Sequence, residues 1–174
     1  KKRKLISFLL RNSSSYKIAL RNLKDLRINK VPFAIRILSL FSSFFRFPLH
    51  KLSSWFLWPN ILKQLCGDRL KFPINGGGAL PEHVDLFFEA LGINVLVGYG
   101  LTETSPVLTC RRISSNVRGT SGQPLPFTEV KIVNDNKDMI KKFNETGKIL
   151  VRGPQVMSGY LDNKVATQKV LSDE

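Results

Sequence analysis

The spacing of apolar residues predicts helices in the first part of the chain. In residues 16–28, apolar residues fall near helical spacing with Lys and Arg between them, which predicts a basic amphipathic helix that Pro32 ends. Residues 33–47 and 49–58 continue in a strongly aromatic and basic pattern, and Pro48 is expected to separate the two runs. We therefore expect a basic aromatic helical segment over residues 1–69.

From residue 70 onward, strand-length apolar runs alternate with one helical pattern. Residues 70–74 and 93–97 are predicted strands, and residues 81–91 are a predicted helix with Val84, Phe87, Phe88 and Leu91 on one face. A helix between two strands with short turns is a βαβ unit, so the strands should be parallel. The loops that follow parallel strands lie at one edge of the sheet, where ligands gather.

The rest of the chain predicts a smaller β-rich layer. Residues 127–133 and 148–152 are predicted strands joined by the polar turn 134–144, and residues 164–171 are a predicted short helix. The expected fold class is therefore α/β, with a partial parallel sheet flanked by helices plus a small β-rich layer. The second predicted unit, residues 70–174, is an α/β core with a small β subdomain.

The net charge of +14 lies entirely in the first part of the chain. Residues 1–71 contain 16 Lys and Arg against Asp25 and Asp68, whereas residues 72–174 contain 11 residues of each sign. This asymmetry predicts an anionic partner for the first part. Three interpretations stay open: a peripheral membrane contact through residues 1–71, packing against other parts of a larger protein, and nucleic acid. No sequence-specific nucleic-acid partner is expected, because the sequence shows no motif of a domain that recognises base sequence.

Other features of the sequence limit the classes of protein that fit it. Cys66 and Cys110 are too few and too far apart for a zinc site or a disulfide framework. Charged residues at Arg36, Arg46 and Lys51 interrupt the apolar runs before the roughly 20 residues that a membrane span needs. A length of 174 residues with 43% hydrophobic residues permits a domain with its own core.

Residues 98–106, Gly-Tyr-Gly-Leu-Thr-Glu-Thr-Ser-Pro, are the most informative run, because they follow a predicted strand directly. Tyr99 offers a flat face to a base, Thr102 can donate a hydrogen bond to a phosphate oxygen, and Glu103 is a hard oxygen ligand suited to Mg²⁺. By themselves these residues also fit a glycine-rich turn with a capping threonine.

Four ordered blocks together resemble the acyl-adenylate-forming superfamily. The run 98–106 is similar to its core motif, residues 75–81 to its Gly-Gly-Ala-Leu-Pro turn, and residues 119–124 to its Gly-x-x-Gly-x-Pro segment. Residues 147–154, followed by 156–160, resemble its Gly-Glu-Leu-x-Val-Arg-Gly block, with Lys148 in place of the usual acid. Within the superfamily, these sequence blocks are most similar to those of plant plastid long-chain acyl-[acyl-carrier-protein] synthetases and long-chain fatty acyl-CoA ligases.

The resemblance implies a two-step reaction that uses ATP and Mg²⁺. A long-chain fatty acid would be converted to acyl-AMP, and acyl carrier protein or CoA would take the acyl group. By likeness, Thr102 and Glu103 are the catalytic residues, and Glu103 is the metal ligand. The implied nucleotide-binding residues are Gly76, Gly77, Gly78, Ala79, Tyr99, Gly100, Leu101 and Thr102. The implied location is the chloroplast (plastid), with envelope association as a further alternative.

The resemblance further implies parts that this sequence does not contain. Members of the superfamily have a phosphate loop upstream of the Gly-Tyr-Gly-Leu-Thr-Glu motif, and a Thr-Gly-Asp motif and a lysine downstream of the last block. We therefore expect an internal segment of the large N-terminal domain of such an enzyme, inactive as an isolated chain. The competing hypothesis is a basic membrane-surface module that keeps a vestigial ligase core.

Overall fold

The computed structural model describes residues 2–67, 69–136, 138–140 and 145–171. Its helices are α1 (Lys2–Leu23), α2 (Phe33–Phe56), α3 (Trp58–Cys66), α4 (Glu82–Leu91) and α5 (Lys164–Val170). Its strands are β1 (Ile74–Asn75), β2 (Leu96–Gly100), β3 (Val107–Cys110), β4 (Gln123–Pro124), β5 (Glu129–Val133) and β6 (Lys148–Arg152). The fold class is α/β, as predicted.

Helix α1 differs from the predicted helix over residues 16–28 at both of its ends. It begins at Lys2, because the basic and apolar residues of the first fifteen positions continue the helical pattern. It ends at Leu23, two residues before Asp25, whose φ of 57° is left-handed and cannot continue an α-helix. Residues 24–32 therefore form a connection to α2.

Helix α2 runs through Pro48, so the predicted break at this residue is wrong. A proline inside a helix removes one backbone hydrogen bond and crowds the preceding turn. Here Pro48 is exposed, and the opposite side of α2 packs on α1 over much of its length. Tertiary packing thus maintains the helix across the proline. The next helix, α3, begins at Trp58 with Pro59 in its first turn.

Polar contacts lock α1 against α2 and α3. The Ser13 hydroxyl lies 3.0 Å from His50 Nδ1 and accepts a hydrogen bond from Trp58 Nε1 at 3.3 Å. The Tyr16 ring stacks on the His50 ring with centroids 4.4 Å apart. Ser13 and Trp58 are almost fully buried. Residues from three helices therefore meet at one small hydroxyl.

The main sheet has the order β1-β2-β3-β4 and is mixed. Strands β1 and β2 are parallel, with Ile74 opposite Leu96 and Asn75 opposite Val97, which confirms the predicted βαβ unit. Strand β1 is shorter than predicted, and β2 begins three residues later than the predicted run 93–97. Strands β3 and β4, which the sequence did not predict, extend the sheet in antiparallel pairing. Only the first pair of strands, β1 and β2, thus has the predicted parallel pairing.

Helix α4 begins one residue later than predicted and ends as predicted, and of the four residues on the predicted apolar face only Leu91 is buried. It ends at Leu91, and the next residue, Gly92, has a φ of 100°, the left-handed conformation of a glycine C-cap. Val84, Phe87 and Phe88 are only half-buried. Asp85 and Glu89 are instead buried, along with Ala90 and Leu91, which follow Glu89 on the same helix. Buried carboxylates require partners, which arginines from other elements provide.

An ion cluster joins α1, α4 and the segment after β3. Arg21 Nε lies 2.8 Å from a Glu89 oxygen, and Arg118 also donates to Glu89. Arg111 Nη1 lies 2.7 Å from Asp85, and Arg118 Nε lies 3.7 Å from the same Asp85 oxygen. The basic first part is thereby connected to the α/β core. The division into residues 1–69 and 70–174 stays a prediction.

The smaller β-layer is the antiparallel pair β5–β6, in register from Glu129 opposite Arg152 to Val133 opposite Lys148. This confirms both predicted strands, although β5 starts after Phe127, whose φ is 62°. The predicted turn 134–144 lies partly outside the described residues. Asn163 caps α5 by accepting a hydrogen bond from Ala166 N at 3.0 Å. Among the described residues, no helix combines the length and the apolar character that a membrane crossing requires.

Candidate nucleotide site

Two loops leave the same edge of the sheet from neighbouring parallel strands. Strand β1 leads into the loop 76–79, and strand β2 leads into the loop 101–106. A Cβ placed on Gly76 would lie 3.9 Å from the carbonyl oxygen of Gly98, so the first loop runs beside the second half of β2. The structure thus brings together the two motifs that the sequence singled out.

The loop 76–79 presents open backbone. Gly77 has φ of 75°, a conformation that favours glycine, and a Cβ added at Gly77 or Gly78 would meet no atom within 4 Å. The Asn75 side chain closes the turn by donating to the Gly78 carbonyl at 2.9 Å. Ala79, like the three glycines, is exposed. A flat ligand can therefore approach this backbone closely.

The loop after β2 is closed by Thr104, not by Thr102. The loop contains one 3₁₀ turn, Thr102–Thr104. The buried Thr104 hydroxyl accepts from Leu101 N at 3.0 Å and lies 2.9 Å from the Leu101 carbonyl oxygen. Thr104 is thus the capping threonine of this turn, and Thr102 and Leu101 remain exposed. An exposed Thr102 hydroxyl is available to a ligand.

The fold of this loop explains why residue 100 is a glycine. A Cβ at this position would lie 1.6 Å from the carbonyl oxygen of Pro106, where the chain folds back into β3. The pairing of β2 with β3 is also irregular between Tyr99 and Gly100. Any side chain at Gly100 would therefore displace the loop.

Tyr99 faces a small cavity of about 140 Å³ between the sheet and the β5–β6 pair. The cavity is also lined by Leu108, Thr109, Ser121, Gly122, Val130 and Ile149. Tyr99 itself is half-buried. Tyr99 therefore lines the space between the two β-layers.

Glu103 is held by the segment that follows β6. The Tyr160 hydroxyl donates to Glu103 Oε1 at 2.6 Å, and Met157 N donates to the Glu103 carbonyl oxygen at 2.8 Å. The hydrogen bond from Tyr160 lowers the pKa of the Glu103 carboxyl below its ordinary value, because it stabilises the charged form. Glu103 is therefore an ionised, oriented carboxylate at neutral pH.

Tyr160 and Met157 lie in the block 156–160 that resembles the superfamily, but no local pattern predicted a role for either residue. The ion cluster around Asp85 and Glu89 was not predicted either. A cavity of about 500 Å³ lies elsewhere, between the end of α1, the 24–32 connection and the start of α4. No residue of the two candidate loops lines this cavity.

A family model described as "AMP-binding enzyme" matches residues 12–161. The chain belongs to the AMP-binding enzyme family. The match includes both candidate loops and the segment that contacts Glu103, so all three parts of the site lie within the shared region.

Curated relatives agree with this membership. Over 132 residues, the chain is 45% identical to probable acyl-activating enzyme 16, chloroplastic, of Arabidopsis thaliana, covering 76% of this chain and 18% of that protein. Over 126 residues, it is also 45% identical to a chloroplastic long-chain-fatty-acid–[acyl-carrier-protein] ligase of the same plant, covering 72% of this chain and 17% of the relative. The chain thus spans about a fifth of the length of the curated relatives that it matches.

A solved structure of the family has the same fold. The o-succinylbenzoate CoA synthetase from Bacillus subtilis, in complex with the acyl-adenylate intermediate OSB-AMP, superposes with a TM-score of 0.57 at 27% identity. The similarity covers 67% of this chain and 24% of that enzyme. The α/β core described above is therefore part of the N-terminal domain of an AMP-binding enzyme.

The residues present fit the magnesium ion that this family implies. The described residues contain no group of three or more His, Cys, Asp and Glu side chains that would hold a metal by themselves. Mg²⁺ in nucleotide sites is usually bound by one or two carboxylates plus phosphate oxygens, so it needs no larger cluster. The ionised Glu103 supplies one such carboxylate, and its second oxygen is free of the Tyr160 hydrogen bond. The roles of the individual site residues stay predictions.

Proposed function

We propose that this chain is the part of an ATP-dependent fatty-acid-activating ligase that holds the nucleotide between two loops. In the first step, a fatty carboxylate oxygen attacks the α-phosphate of ATP, and pyrophosphate leaves to give acyl-AMP. In the second step, a thiol attacks the acyl carbon, and AMP leaves. The observation that carries the proposal is the parallel pairing of β1 and β2, because it delivers both loops to one sheet edge.

The proposed work of the two loops is positioning and charge stabilisation. The open backbone of Gly77 and Gly78 supports the adenine edge, and Tyr99 flanks the base. The exposed Thr102 hydroxyl donates to an α-phosphate oxygen. Negative charge grows on this phosphate as the reaction proceeds, so a preorganised donor lowers the barrier.

Glu103 is the proposed magnesium ligand. A bound Mg²⁺ neutralises phosphate charge. The chain's own contribution is an ionised carboxylate whose orientation is set by Tyr160 and by the backbone contact with Met157. This arrangement fixes Glu103 relative to Thr102, one residue before it on the same turn.

The substrate, acceptor and location in this proposal follow the relatives. A long-chain fatty acid is the proposed substrate, because a relative with 45% identity is a long-chain-fatty-acid–[acyl-carrier-protein] ligase. Acyl carrier protein or CoA is the proposed acceptor, and ATP with Mg²⁺ completes the reaction. The chloroplast is the proposed location, since both Arabidopsis relatives are chloroplastic by name. The comparisons give no support to a membrane module with a vestigial ligase core.

A chimeric enzyme tests the proposal. In the chloroplastic Arabidopsis acyl-carrier-protein ligase, the segment that aligns with residues 70–171 of this chain is replaced by those residues, and ATP–pyrophosphate exchange is measured with a C16 acid. We expect exchange in the chimera and a loss on the order of 100-fold or more in Glu103→Gln, which removes a charge-stabilising group.

The matched control is Glu129→Gln, an exposed carboxylate on β5, which should leave the exchange rate unchanged. A chimera that folds and binds fatty acid yet shows no exchange would contradict the proposal. So would equal activity of Glu103→Gln and Glu129→Gln. The isolated 174-residue chain should show no exchange.

A further inference from the structure

Helix α2 buries its polar side and exposes its apolar side, which is the reverse of an ordinary surface helix. The side that packs on α1 carries small polar residues and one histidine, all of them buried: Ser39, Ser43, His50 and Ser53. The other side carries large apolar residues that are 59–78% exposed: Phe33, Phe41, Phe44, Phe45, Trp55 and Phe56. A helix in a soluble protein normally turns its apolar stripe toward the core. This exposed stripe therefore requires a different apolar environment.

The exposed residues form one continuous aromatic face along the helix. Phe33, Phe41, Phe44 and Trp55 recur at intervals that place them on one side of α2, and Phe45 and Phe56 lie beside them. The helix has 24 residues and is therefore roughly 36 Å long. A face of this length is too large to be scattered surface hydrophobicity.

The charge around this face selects its partner. Helix α2 contains no acidic residue and carries Arg36, Arg46 and Lys51. Residues 1–71 contain 16 Lys and Arg but only two Asp, and one of these, Asp25, pairs with Arg36 at 2.9 Å. Of the cations on α2, Lys51 is the one whose position along the helix places it on the same side as Phe33, Phe44 and Trp55. An aromatic stripe in a strongly cationic part of the chain matches a bilayer interface, with apolar side chains among the acyl chains and cations at anionic headgroups.

We infer that α2 lies in the plane of an anionic membrane surface, with its aromatic face among the lipid chains. The helix is not apolar enough to cross the bilayer, which agrees with an orientation along the surface. The side facing α1 stays in the protein, because its polar groups are already satisfied: Asn22 Nδ2 donates to Ser39 at 2.9 Å, and Ser53 donates to a backbone carbonyl. This inference is independent of nucleotide chemistry at the loops.

Vesicle binding of the 174-residue chain tests the inference, and Trp55 is a built-in probe. Trp55 is 73% exposed, whereas the only other tryptophan, Trp58, is buried. We expect co-sedimentation with vesicles of phosphatidylcholine and phosphatidylglycerol, weaker binding in about 1 M salt, and a blue shift of tryptophan emission. The Trp55→Phe variant should still bind but lose the blue shift.

The double substitution Phe44→Ser with Phe45→Ser should lower the partition coefficient by at least about tenfold, because two aromatic rings no longer enter the lipid. The matched control is Leu161→Ser, which removes an apolar side chain that is 91% exposed outside α2. Circular dichroism checks that every variant keeps its helices.

Three results would overturn the inference. The first is a folded chain that does not sediment with anionic vesicles. The second is vesicle binding that does not come from the aromatic face. It would be seen as binding without a Trp55 blue shift, or as an equal loss of binding in the double variant and the control, and it would assign binding to charge elsewhere. The third is a dimer that the double variant dissociates, with no vesicle binding, which assigns the face to a second copy of the chain. None of these results bears on the chimera's exchange activity.

Discussion

At the scale of single residues, His50 shows how burial changes a side chain that looked uninformative in the sequence. It is 9% exposed, lies 3.0 Å from the Ser13 hydroxyl of α1, and is stacked on Tyr16 of the same helix. Burial, with smaller contributions from Lys17 and Lys51, lowers the pKa of His50 from 6.5 to about 4. The imidazole is therefore neutral in the folded protein at neutral pH, and its Nδ1 can accept from Ser13.

This lowered pKa predicts a pH-dependent stability. Between about pH 4 and 6.5, the unfolded chain binds a proton at His50 that the folded chain does not bind. The stability that the neutral His50 contributes is thus complete above pH 6.5 and falls as pH drops toward 4, by up to about 3 kcal/mol. Urea unfolding at a series of pH values between 5 and 6.5, above the usual carboxylate range, measures the slope.

The chain contains a matched control for this prediction. His83, the only other histidine, is exposed on α4. His50→Asn should flatten the slope of unfolding free energy against pH in this window, and His83→Asn should leave the slope as in the unsubstituted chain. An equal slope in the His50→Asn variant would show that other groups cause the dependence.

At the scale of elements, the first part of the chain is attached to the α/β core by a carboxylate between two arginines. Glu89 on α4 accepts from Arg21 on α1 and from Arg118. Removing one partner from a buried ion cluster leaves uncompensated charge. We therefore expect Glu89→Gln to lower the free energy of unfolding by about 3 kcal/mol or more, measured by chemical denaturation.

An exposed ion pair between the 24–32 connection and α2 is the comparison. Asp25 and Arg36 lie 2.9 Å apart but are largely open to solvent. Asp25→Asn should cost less than about 1 kcal/mol, because water screens the pair. Similar losses for the two variants would mean that the cluster around Glu89 does not hold α1 to α4.

The elements that the sequence predicted well are those specified by local signals. Helix α4 has a proline at its start and a glycine after its end, and β5 and β6 are β-branched runs beside polar turns. The predicted break at Pro48 was wrong, and strands β3 and β4 were not predicted, for a different reason. The packing of α2 on α1 maintains a helix across a proline, and β4 is only two residues long and exists through its pairing with β3. Such elements depend on tertiary contacts.

The candidate site shows the same division. The sequence predicted that the loops 76–79 and 101–106 leave one sheet edge, because parallel pairing follows from the βαβ pattern. It did not predict that Thr104 closes the turn, that Gly100 makes room for Pro106, or that Tyr160 holds Glu103. Tyr160 lies 57 residues after Glu103, and no local spacing signals a hydrogen bond over that separation.

At the scale of the whole molecule, the two proposals concern two different surfaces. The sheet edge carries the two loops and Glu103, while α2 carries the aromatic face on the far side of its contact with α1. The matched region makes up 18% and 17% of the two Arabidopsis relatives, which agrees with a nucleotide surface that other parts of a ligase complete. A ligase that acts on long-chain acids at a membrane is consistent with both surfaces.

The most direct test of the central claim is an amide NMR titration of the ¹⁵N-labelled chain with ATP and Mg²⁺. We predict that the signals of Gly77 and Gly78 and those of Leu101 and Glu103 shift together along one binding curve, because both loops contact one nucleotide. Glu103→Gln should remove the magnesium dependence, and Glu129→Gln should keep it. Shifts in only one loop, two unrelated binding curves, or no shift at saturating nucleotide would contradict the account.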